Sequence, residues 1–233
     1  MHHELEVVAD PDAVAGTAAA FVARPARACV RARGRFTFAV SGGHTPWAMF
    51  ARLAHEDRPW EQAGVFRVDE RVAPDGDPDR NLTHRRESLG TAPAEVIVMP
   101  VNDAGLDAAA AAYGGSLPER FDLVHLGLGP DGHTVSRVPR DPVLEVPDRP
   151  AALTAPYMGH RRMTLTRPAP ARAQQVLWFV TGADNREPLS RLVAGDRSIP
   201  AARVEAAASL VLADAAAAGR GPARAGARPP AGP

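Results

Sequence analysis

Short, almost continuous apolar runs alternate with longer amphipathic stretches along most of this chain, and this alternation limits the fold more than any other feature. The runs are four to six residues long, which suits strands of a sheet that is covered on both faces. The stretches between them are long enough for helices. Repeated strand–helix units are typical of an α/β domain, so we predict an α/β fold with a mainly parallel sheet.

The apolar runs and the stretches between them predict the individual elements. We expect strands at residues 36–40, 65–68, 96–99, 121–126, 163–166, 176–180 and 209–212. We expect helices at residues 45–56, 81–89, 106–117 and 186–193, and an alanine-rich helical end after the last strand. Thr45 suits the N-cap of the first of these helices, and Pro46 suits its first turn.

The last residues, 219–233, differ in composition from the rest of the chain. They contain only Gly, Pro, Ala and Arg, with four prolines. Such a segment buries too little apolar surface to fold, so we expect a disordered C-terminal tail. No internal repeat and no Pro/Gly-rich linker precedes it, and we therefore predict one domain over residues 1–218.

The charged residues exclude several kinds of chemistry. Lys+Arg and Asp+Glu are 27 each, and every one of the 27 basic residues is arginine. Without lysine, the chain cannot use a lysine Schiff base, a lysine general base or the lysine of a phosphate-binding P-loop. A formal net charge of zero also argues against a protein that mainly binds nucleic acid or an anionic membrane.

The single cysteine and the hydropathy of the chain suggest a compartment. Cys29 lies in an apolar setting and cannot form an internal disulfide, so we expect a small buried hydrophobic residue rather than a reactive thiol. The first residues lack the pattern of a secretory signal, and no apolar run approaches the ~20 residues that cross a bilayer. We expect a cytoplasmic protein.

Parallel strands place their ligand sites beyond their carboxyl ends, and the first of these ends carries a glycine turn. Residues 41–46 read Ser-Gly-Gly-His-Thr-Pro. Gly42 and Gly43 allow a tight turn, and the helix that follows presents free N–H groups near His44 and Thr45. Such a turn can bind a phosphate, although an ordinary strand–helix connection has the same pattern.

The second strand end carries charged residues. Asp69 and Arg71 follow the strand at 65–68, and Asn81 lies downstream at a predicted helix start. The planar guanidinium of Arg71 can hold a phosphate or carboxylate, and Asp69 can accept hydrogen bonds from a hydroxylated substrate. The alternative is a surface cluster of ion pairs, with Asn81 as an N-cap.

The third strand end carries three glycines, Gly127, Gly129 and Gly132, in the spacing G-x-G-x-x-G. This match to a dinucleotide-binding turn is weak, because Pro139 and Pro142 interrupt the helix that such a turn should open.

Within this loop, Asp131 and His133 flank Gly132. A neutral histidine can take a proton from water near pH 7, and Asp131 is close enough to orient the ring. The two side chains could also bind a metal, but no further metal-binding motif completes a set of ligands. A structural histidine is the plainer alternative.

Together these motifs make the sequence resemble the 6-phosphogluconolactonase family of the sugar-phosphate isomerase/deaminase superfamily. The resemblance covers about residues 5–215. Its residues are the turn at 41–46, Asp69-Glu70-Arg71, Asn81, the segment 121–134, the segment Arg162–Thr166 and Thr181–Asp184.

The resemblance implies a fold and an activity. The fold is a three-layer α/β/α sandwich, and the activity is hydrolysis of 6-phosphoglucono-1,5-lactone to 6-phosphogluconate in the pentose phosphate pathway. It implies a small sugar phosphate as the partner, with no metal and no nucleotide cofactor. The sequence leaves monomer and homodimer both open.

The resemblance also implies roles for single residues. His133 is the general base and Asp131 its catalytic partner. The substrate and its phosphate are bound by Gly42, Gly43, His44, Thr45, Asp69, Arg71, Asn81, Gly129 and Arg162.

Three positions depart from the family pattern. His44 stands where the family often has serine, Arg137 where it usually has leucine, and Asn185 near a common lysine. Two alternative functions stay open. One is a glucosamine-6-phosphate deaminase/isomerase, which needs a further carboxylate beside the histidine. The other is a non-catalytic sugar-phosphate-binding protein.

Overall fold

A seven-stranded parallel sheet forms the centre of the structure, a computed structural model that describes residues 2–54, 60–84 and 94–220. In chain order its strands are β1 (Glu4–Val8), β2 (Phe36–Val40), β3 (Ala63–Arg67), β5 (Glu95–Ile97), β6 (Leu123–Gly127), β9 (Val176–Val180) and β10 (Ser209–Asp214). Their spatial order is β1-β10-β9-β6-β2-β3-β5, and all neighbours pair in parallel.

A second, smaller sheet has three antiparallel strands. They are β4 (Asp69–Arg71), β7 (Ala151–Leu153) and β8 (Arg162–Leu165), in the order β4-β8-β7. The β4 strand begins two residues after β3 ends, so the chain passes directly from the large sheet into the small one.

Helices cover both faces of the large sheet. They are α1 (Pro11–Arg33), α2 (His44–Ala54), α3 (Leu106–Ser116), α4 (Pro168–Ala171) and α5 (Arg186–Val193). Along β9, Leu177 and Phe179 enter the core that contains α1 and α2, whereas Trp178 and Val180 enter the core that contains α3, α4 and α5. Because alternate side chains of a strand point to opposite faces, the two cores are separated by the sheet, and the expected three-layer sandwich is confirmed.

The first strand, β1, and the first helix, α1, were not predicted from the sequence. The α1 helix has clear end signals: the Asp10 side chain accepts the Ala13 N–H at 2.8 Å, Pro11 occupies the first turn, and Gly34 ends the helix in the left-handed region at φ 72°. Its buried face consists mainly of alanine, which gives a weak hydropathy pattern. Cys29 near its end is half-buried, and burial raises the pKa of the thiol.

Other predicted elements agree with the structure to different degrees. The strands at 36–40 and 176–180 and the helix at 186–193 match residue for residue, and most other ends shift by one to three residues. The strand predicted at 163–166 belongs to the antiparallel sheet. The predicted helix after the last strand is wrong, because residues 215–219 form a turn closed by the Asp214 carboxylate, which accepts the Ala217 N–H at 2.7 Å.

Some predictions fall on residues outside the described part. These are the ends of the helices predicted at 45–56 and 81–89, and most of the tail predicted at 219–233. The single domain over residues 1–218 therefore stays a prediction. No helix in the described ranges is both long and apolar enough to span a bilayer.

The order of the strands creates a crevice in the middle of the large sheet. From β2 the chain proceeds through β3 to β5 in one direction, whereas from β6 it proceeds through β9 to β10 in the other. The connections that follow the adjacent strands β2 and β6 therefore diverge. Open α/β sheets bind ligands at this kind of switch point.

A buried histidine supports the floor of this crevice. His125 on β6 is fully buried, and its Nδ1 accepts the Ser41 N–H at 3.3 Å at the end of β2. Its ring packs against Phe179, with centroids 4.0 Å apart. Burial, and then the charge of Arg67, lower the pKa of His125 from 6.5 to about 3. The ring is therefore neutral in the folded protein.

This neutral histidine predicts a loss of stability in acid. The folded protein keeps His125 unprotonated down to about pH 3, whereas the unfolded chain binds a proton near pH 6.5. Below pH 6.5 this group alone lowers the free energy of unfolding by about 1.4 kcal/mol per pH unit. In urea unfolding between pH 7 and pH 4, His125→Leu should show a shallower decline than wild type. The exposed control His2→Gln should keep the wild-type slope, and an unchanged slope in His125→Leu would contradict the assignment.

Candidate active site

A cavity of about 230 Å³ lies at the crevice and is lined largely by polar and glycine residues. It lies beyond the carboxyl ends of β2, β3 and β6, three strands that are neighbours in the sheet. Eight predicted site residues line it: Gly42, Gly43, Asp69, Arg71, Asn81, Gly129, His133 and Arg162. The two sheets therefore bring together residues that are up to 120 positions apart in the chain.

The glycine turn after β2 forms one wall of the cavity. A Cβ atom on Gly42 would lie 2.0 Å from Asn81 Oδ1, so only glycine fits against this amide. Gly43 has a φ of 123°, a backbone conformation that side chains rarely adopt. The turn is thus shaped by Asn81 as much as by its own sequence.

His44 and Thr45 take positions different from those expected. The α2 helix begins at His44, so Thr45 lies inside the first turn and is not its N-cap. Neither residue lines the cavity; the exposed His44 ring packs edge-on against Trp47, with centroids 4.9 Å apart. Trp47 itself lines the cavity. Sequence reasoning missed this residue, although an aromatic side chain in the first turn after a glycine loop was a usable signal.

Two arginines lie opposite each other on the small antiparallel sheet. Arg71 on β4 and Arg162 on β8 are register partners, and side chains at such positions have Cβ atoms about 5 Å apart. Two like charges at this distance repel each other unless an anion lies between them. Burial lowers the pKa of Arg162, Arg71 lowers it further, and Asp69 opposes this shift. The pair is therefore a candidate phosphate site.

A buried glutamate fixes the position of Arg71. Both oxygens of the Glu70 carboxylate accept backbone N–H groups at 2.8 Å, one from Asn81 and one from Leu82. The Asn81 side chain then accepts a hydrogen bond from Arg71 Nη1 at 3.0 Å. Glu70 thus holds the segment that orients the guanidinium. The family motif includes this residue, but only the structure shows its role.

Asp69 joins the small sheet to the loop that follows β6. Its Oδ2 accepts a hydrogen bond from Ser136 Oγ at 2.6 Å, and its Oδ1 faces Asn81 Nδ2 at 3.5 Å. The carboxylate is buried yet lines the cavity. It therefore presents a fixed hydrogen-bond acceptor to a ligand.

The loop after β6 is folded tightly around His133. The Gly129 N–H donates to the His133 carbonyl at 2.9 Å, and the Gly132 N–H donates to the Gly129 carbonyl at 2.9 Å. A Cβ on Gly129 would lie 2.2 Å from the His133 ring. Gly132 has a φ of 80°. The glycines of this loop therefore serve the placement of a histidine rather than a dinucleotide.

Asp131 orients the His133 ring. Asp131 Oδ1 accepts both the His133 N–H, at 3.0 Å, and His133 Nδ1, at 2.5 Å. Partial burial disfavours the charged carboxylate, but the hydrogen bonds and charge of His133 outweigh it and keep the pKa of Asp131 below its usual value. An ionised carboxylate on Nδ1 requires the proton there, so Nε2 keeps its lone pair. The ring, 23% exposed, can accept a proton at Nε2.

Tyr157 connects this histidine to the arginine pair, and no sequence pattern indicated it. Its ring lies 6.2 Å from the His133 ring, centroid to centroid, and Arg162 Cζ lies 5.0 Å from its centroid. A tight turn carries it, with Tyr157 N–H donating to the His160 carbonyl at 2.9 Å. His160 Nε2 contacts Asp79 Oδ2 at 3.0 Å. This contact anchors the turn to the segment that holds Arg71.

The described residues of this site do not form a set of metal ligands. Across residues 2–54, 60–84 and 94–220, no group of three or more His, Cys, Asp and Glu side chains is arranged to hold a metal ion.

The close approach of Gly42 to Asn81 predicts a binding defect. In Gly42→Ala the new methyl group must displace the Asn81 amide, which releases Arg71 from its fixed position. Calorimetric titration with inorganic phosphate should show an affinity at least about tenfold lower than wild type, the effect of losing one charge-assisted hydrogen bond. Gly115→Ala is the matched control, because this exposed glycine of α3 does not line the cavity and a Cβ there meets nothing within 4 Å. Equal affinities in the two variants would contradict the role of Asn81.

Similar proteins of known family indicate the family of this chain. The model of the family described as glucosamine-6-phosphate isomerases/6-phosphogluconolactonase matches residues 9–212. A 6-phosphogluconolactonase of Synechocystis sp. is 35% identical over 176 residues, which cover 70% of this chain and 73% of the relative. A 6-phosphogluconolactonase of Nostoc sp. is 33% identical over 208 residues, which cover 83% and 86%.

A solved structure supports the same fold. The crystal structure of a 6-phosphogluconolactonase from Shewanella baltica superposes with a TM-score of 0.81 at 24% identity, covering 92% of this chain and 97% of the other. At this identity the superposition shows the fold alone. The family model and the two relatives carry the assignment: this chain belongs to the glucosamine-6-phosphate isomerase/6-phosphogluconolactonase family.

Proposed function

We propose that this protein hydrolyses 6-phosphoglucono-1,5-lactone to 6-phosphogluconate. One observation carries the proposal: His133 of the Asp131–His133 pair and both members of the Arg71–Arg162 pair line the same small cavity. The first pair can activate water, and the second can hold a phosphate. A sugar lactone with a remote phosphate group needs both.

The phosphate binds between the two guanidinium groups. Arg71 is preorganised by Asn81, and no described residue forms a hydrogen bond with the Arg162 guanidinium, which leaves its donors for the ligand. The glycine turn at Gly42 and Gly43 adds backbone N–H groups at the start of α2. Binding energy from this remote group holds the lactone ring in position against the attacking water.

His133 acts as the general base. Its Nε2 takes a proton from a water molecule as the water oxygen attacks C1 of the lactone. Asp131 stabilises the imidazolium that forms, since its carboxylate lies 2.5 Å from Nδ1. An aligned base of this kind typically contributes roughly 100- to 10,000-fold to the rate.

The same histidine completes the reaction. When the tetrahedral intermediate collapses, the bond between C1 and the ring oxygen breaks. The imidazolium returns its proton to this oxygen, which becomes the C5 hydroxyl. The product is an open-chain acid that ionises in water. Because a lactone is already an activated ester, the steps need no covalent nucleophile, metal or nucleotide.

The deaminase/isomerase alternative requires a further carboxylate near His133. Asp141 is the next acid along the chain, and it is occupied elsewhere. Its two oxygens accept backbone N–H groups from Val143 at 2.8 Å and from Ala155 at 3.1 Å. This capping role removes Asp141 from the alternative reaction. The Asp69 carboxylate also lines the cavity, but it already accepts a hydrogen bond from Ser136 Oγ at 2.6 Å, which favours the lactonase. Release of ammonia from glucosamine 6-phosphate would instead support the alternative.

The cavity of about 230 Å³ fits a small sugar phosphate as the substrate. We place the protein in the cytoplasm, without a nucleic-acid or membrane partner, as a monomer or homodimer. A binding protein without activity would hold 6-phosphogluconate but leave the lactone to hydrolyse at its uncatalysed rate.

Removing the base should abolish catalysis without abolishing binding. We expect His133→Gln to lower kcat for lactone hydrolysis by roughly 100- to 10,000-fold and to change the dissociation constant for 6-phosphogluconate only a few-fold. The assay couples product formation to its oxidation, after subtraction of spontaneous hydrolysis. The control His2→Gln should retain full activity. Near-normal turnover of His133→Gln would remove His133 from the role of base.

Tyr157 should act on substrate binding through Arg162. A cation–π contact contributes about 0.5–2 kcal/mol, so Tyr157→Ala should raise KM by roughly 3- to 30-fold. Tyr157→Phe keeps the ring and serves as the matched control with nearly normal KM. A fall in kcat of the same size in both variants would show that the hydroxyl, and not the ring, matters.

A further inference from the structure

A second arginine cluster lies behind the His133 loop. At its centre, Arg137 is only 2% exposed. Neither its Nε nor its Nη2 has a hydrogen-bond partner in the described part of the chain. A buried guanidinium in a protein normally has a carboxylate or several carbonyl groups beside it, because an isolated buried charge is costly.

Neighbouring arginines increase the free-energy cost of burying the charge of Arg137. Burial lowers its pKa to about 10, and the neighbouring Arg167 and Arg203 also lower it. At neutral pH the group is still charged. Two acids of the neighbouring segments have other partners: Glu145 contacts Arg203 at 3.4 Å, and Asp141 binds backbone N–H groups.

Hydrogen bonds hold the segments of these three arginines together. The Ala201 N–H, two residues before Arg203, donates to the Gly132 carbonyl at 3.0 Å. The Ser136 N–H, beside Arg137, donates to Thr164 Oγ1 at 3.2 Å. Arg167 follows three residues after Thr164 and is exposed. The cluster is therefore a fixed feature of the fold.

This cluster is separate from the active site. The cavity beside His133 is lined by neither Arg137, Arg167 nor Arg203. The Arg203 segment instead packs against Gly132: a Cβ atom on this glycine would lie 2.6 Å from the Ile199 side chain.

We propose that Arg137, Arg167 and Arg203 form a second anion-binding site that takes a phosphate group. Among the described residues Arg137 and Arg167 have no carboxylate partner, and Arg203 has only the exposed Glu145 at 3.4 Å. Guanidinium groups match the charge and the planar hydrogen-bonding geometry of a phosphate. The ligand is either inorganic phosphate or a small phosphate ester. Because the site supports the loop of His133 from behind, its occupancy also stabilises the folded form of that loop.

The test measures this site with the active site disabled. All variants carry Arg162→Met, which removes one arm of the catalytic phosphate clamp, and the buffer is free of phosphate and sulfate. Calorimetry with inorganic phosphate and, separately, glycerol 3-phosphate identifies the source. We expect saturable binding of phosphate in Arg162→Met. Addition of Arg137→Leu should lower this affinity by at least about tenfold. The exposed control Arg27→Gln should leave the affinity unchanged.

Thermal unfolding gives a second readout. Without phosphate, Arg137→Leu should melt at the same or a higher temperature than its parent, because leucine removes an unpaired buried charge. Phosphate should raise the melting temperature of the parent and not of the variant.

Arg167→Gln with Arg203→Gln, two substitutions of less buried residues, repeats the test if Arg137→Leu does not fold. The proposal is overturned if phosphate affinity is unchanged in these variants, or if the parent shows no saturable binding. Because the test does not use the lactone, its outcome is independent of the proposed activity.

Discussion

The parallel pairing of β6, β2 and β3 is the constraint on which the rest of the site depends. Three neighbouring strands end at one edge of the sheet, and the chain leaves β2 and β6 in opposite directions. The crevice between these connections receives the glycine turn from β2, the charged segment from β3 and the histidine loop from β6. None of the three segments forms a site alone. The backbone hydrogen bonds of the sheet fix the separation of the three strand ends.

The small antiparallel sheet adds what the large sheet cannot provide. It places Arg162 directly opposite Arg71, which concentrates positive charge at one side of the crevice. Glu70 stabilises this arrangement from below through backbone N–H groups rather than through the arginines themselves. The guanidinium groups therefore keep free donors. A site assembled with paired ions would be more stable in the empty state and weaker toward phosphate.

The interior of this protein contains several buried basic side chains whose pKa values are lowered by burial. His125 is neutral because it is fully buried and near Arg67, and it accepts the backbone N–H that ends β2. Arg67 is itself buried, and burial lowers its pKa, while Glu70 and Asp69 oppose this shift. Arg137 lacks such acids. His125 and Arg67 therefore belong to the structural support of the crevice, whereas the missing counter-charge of Arg137 points to a ligand from outside the chain.

The sequence alone determined the class of fold, most of the strands and the residues of the family motifs, since buried strands and glycine turns leave local patterns. It missed α1, because an alanine-rich face has little hydropathy contrast. Of the small antiparallel sheet it predicted one strand, at 163–166, and missed the other two, whose three residues are too few to show a period. Only the tertiary structure decided that Arg71 opposes Arg162, that Tyr157 joins Arg162 to His133, and that Arg137 has no counter-charge among residues 2–54, 60–84 and 94–220. These relations join residues far apart in the chain, and a local pattern contains no information about such contacts.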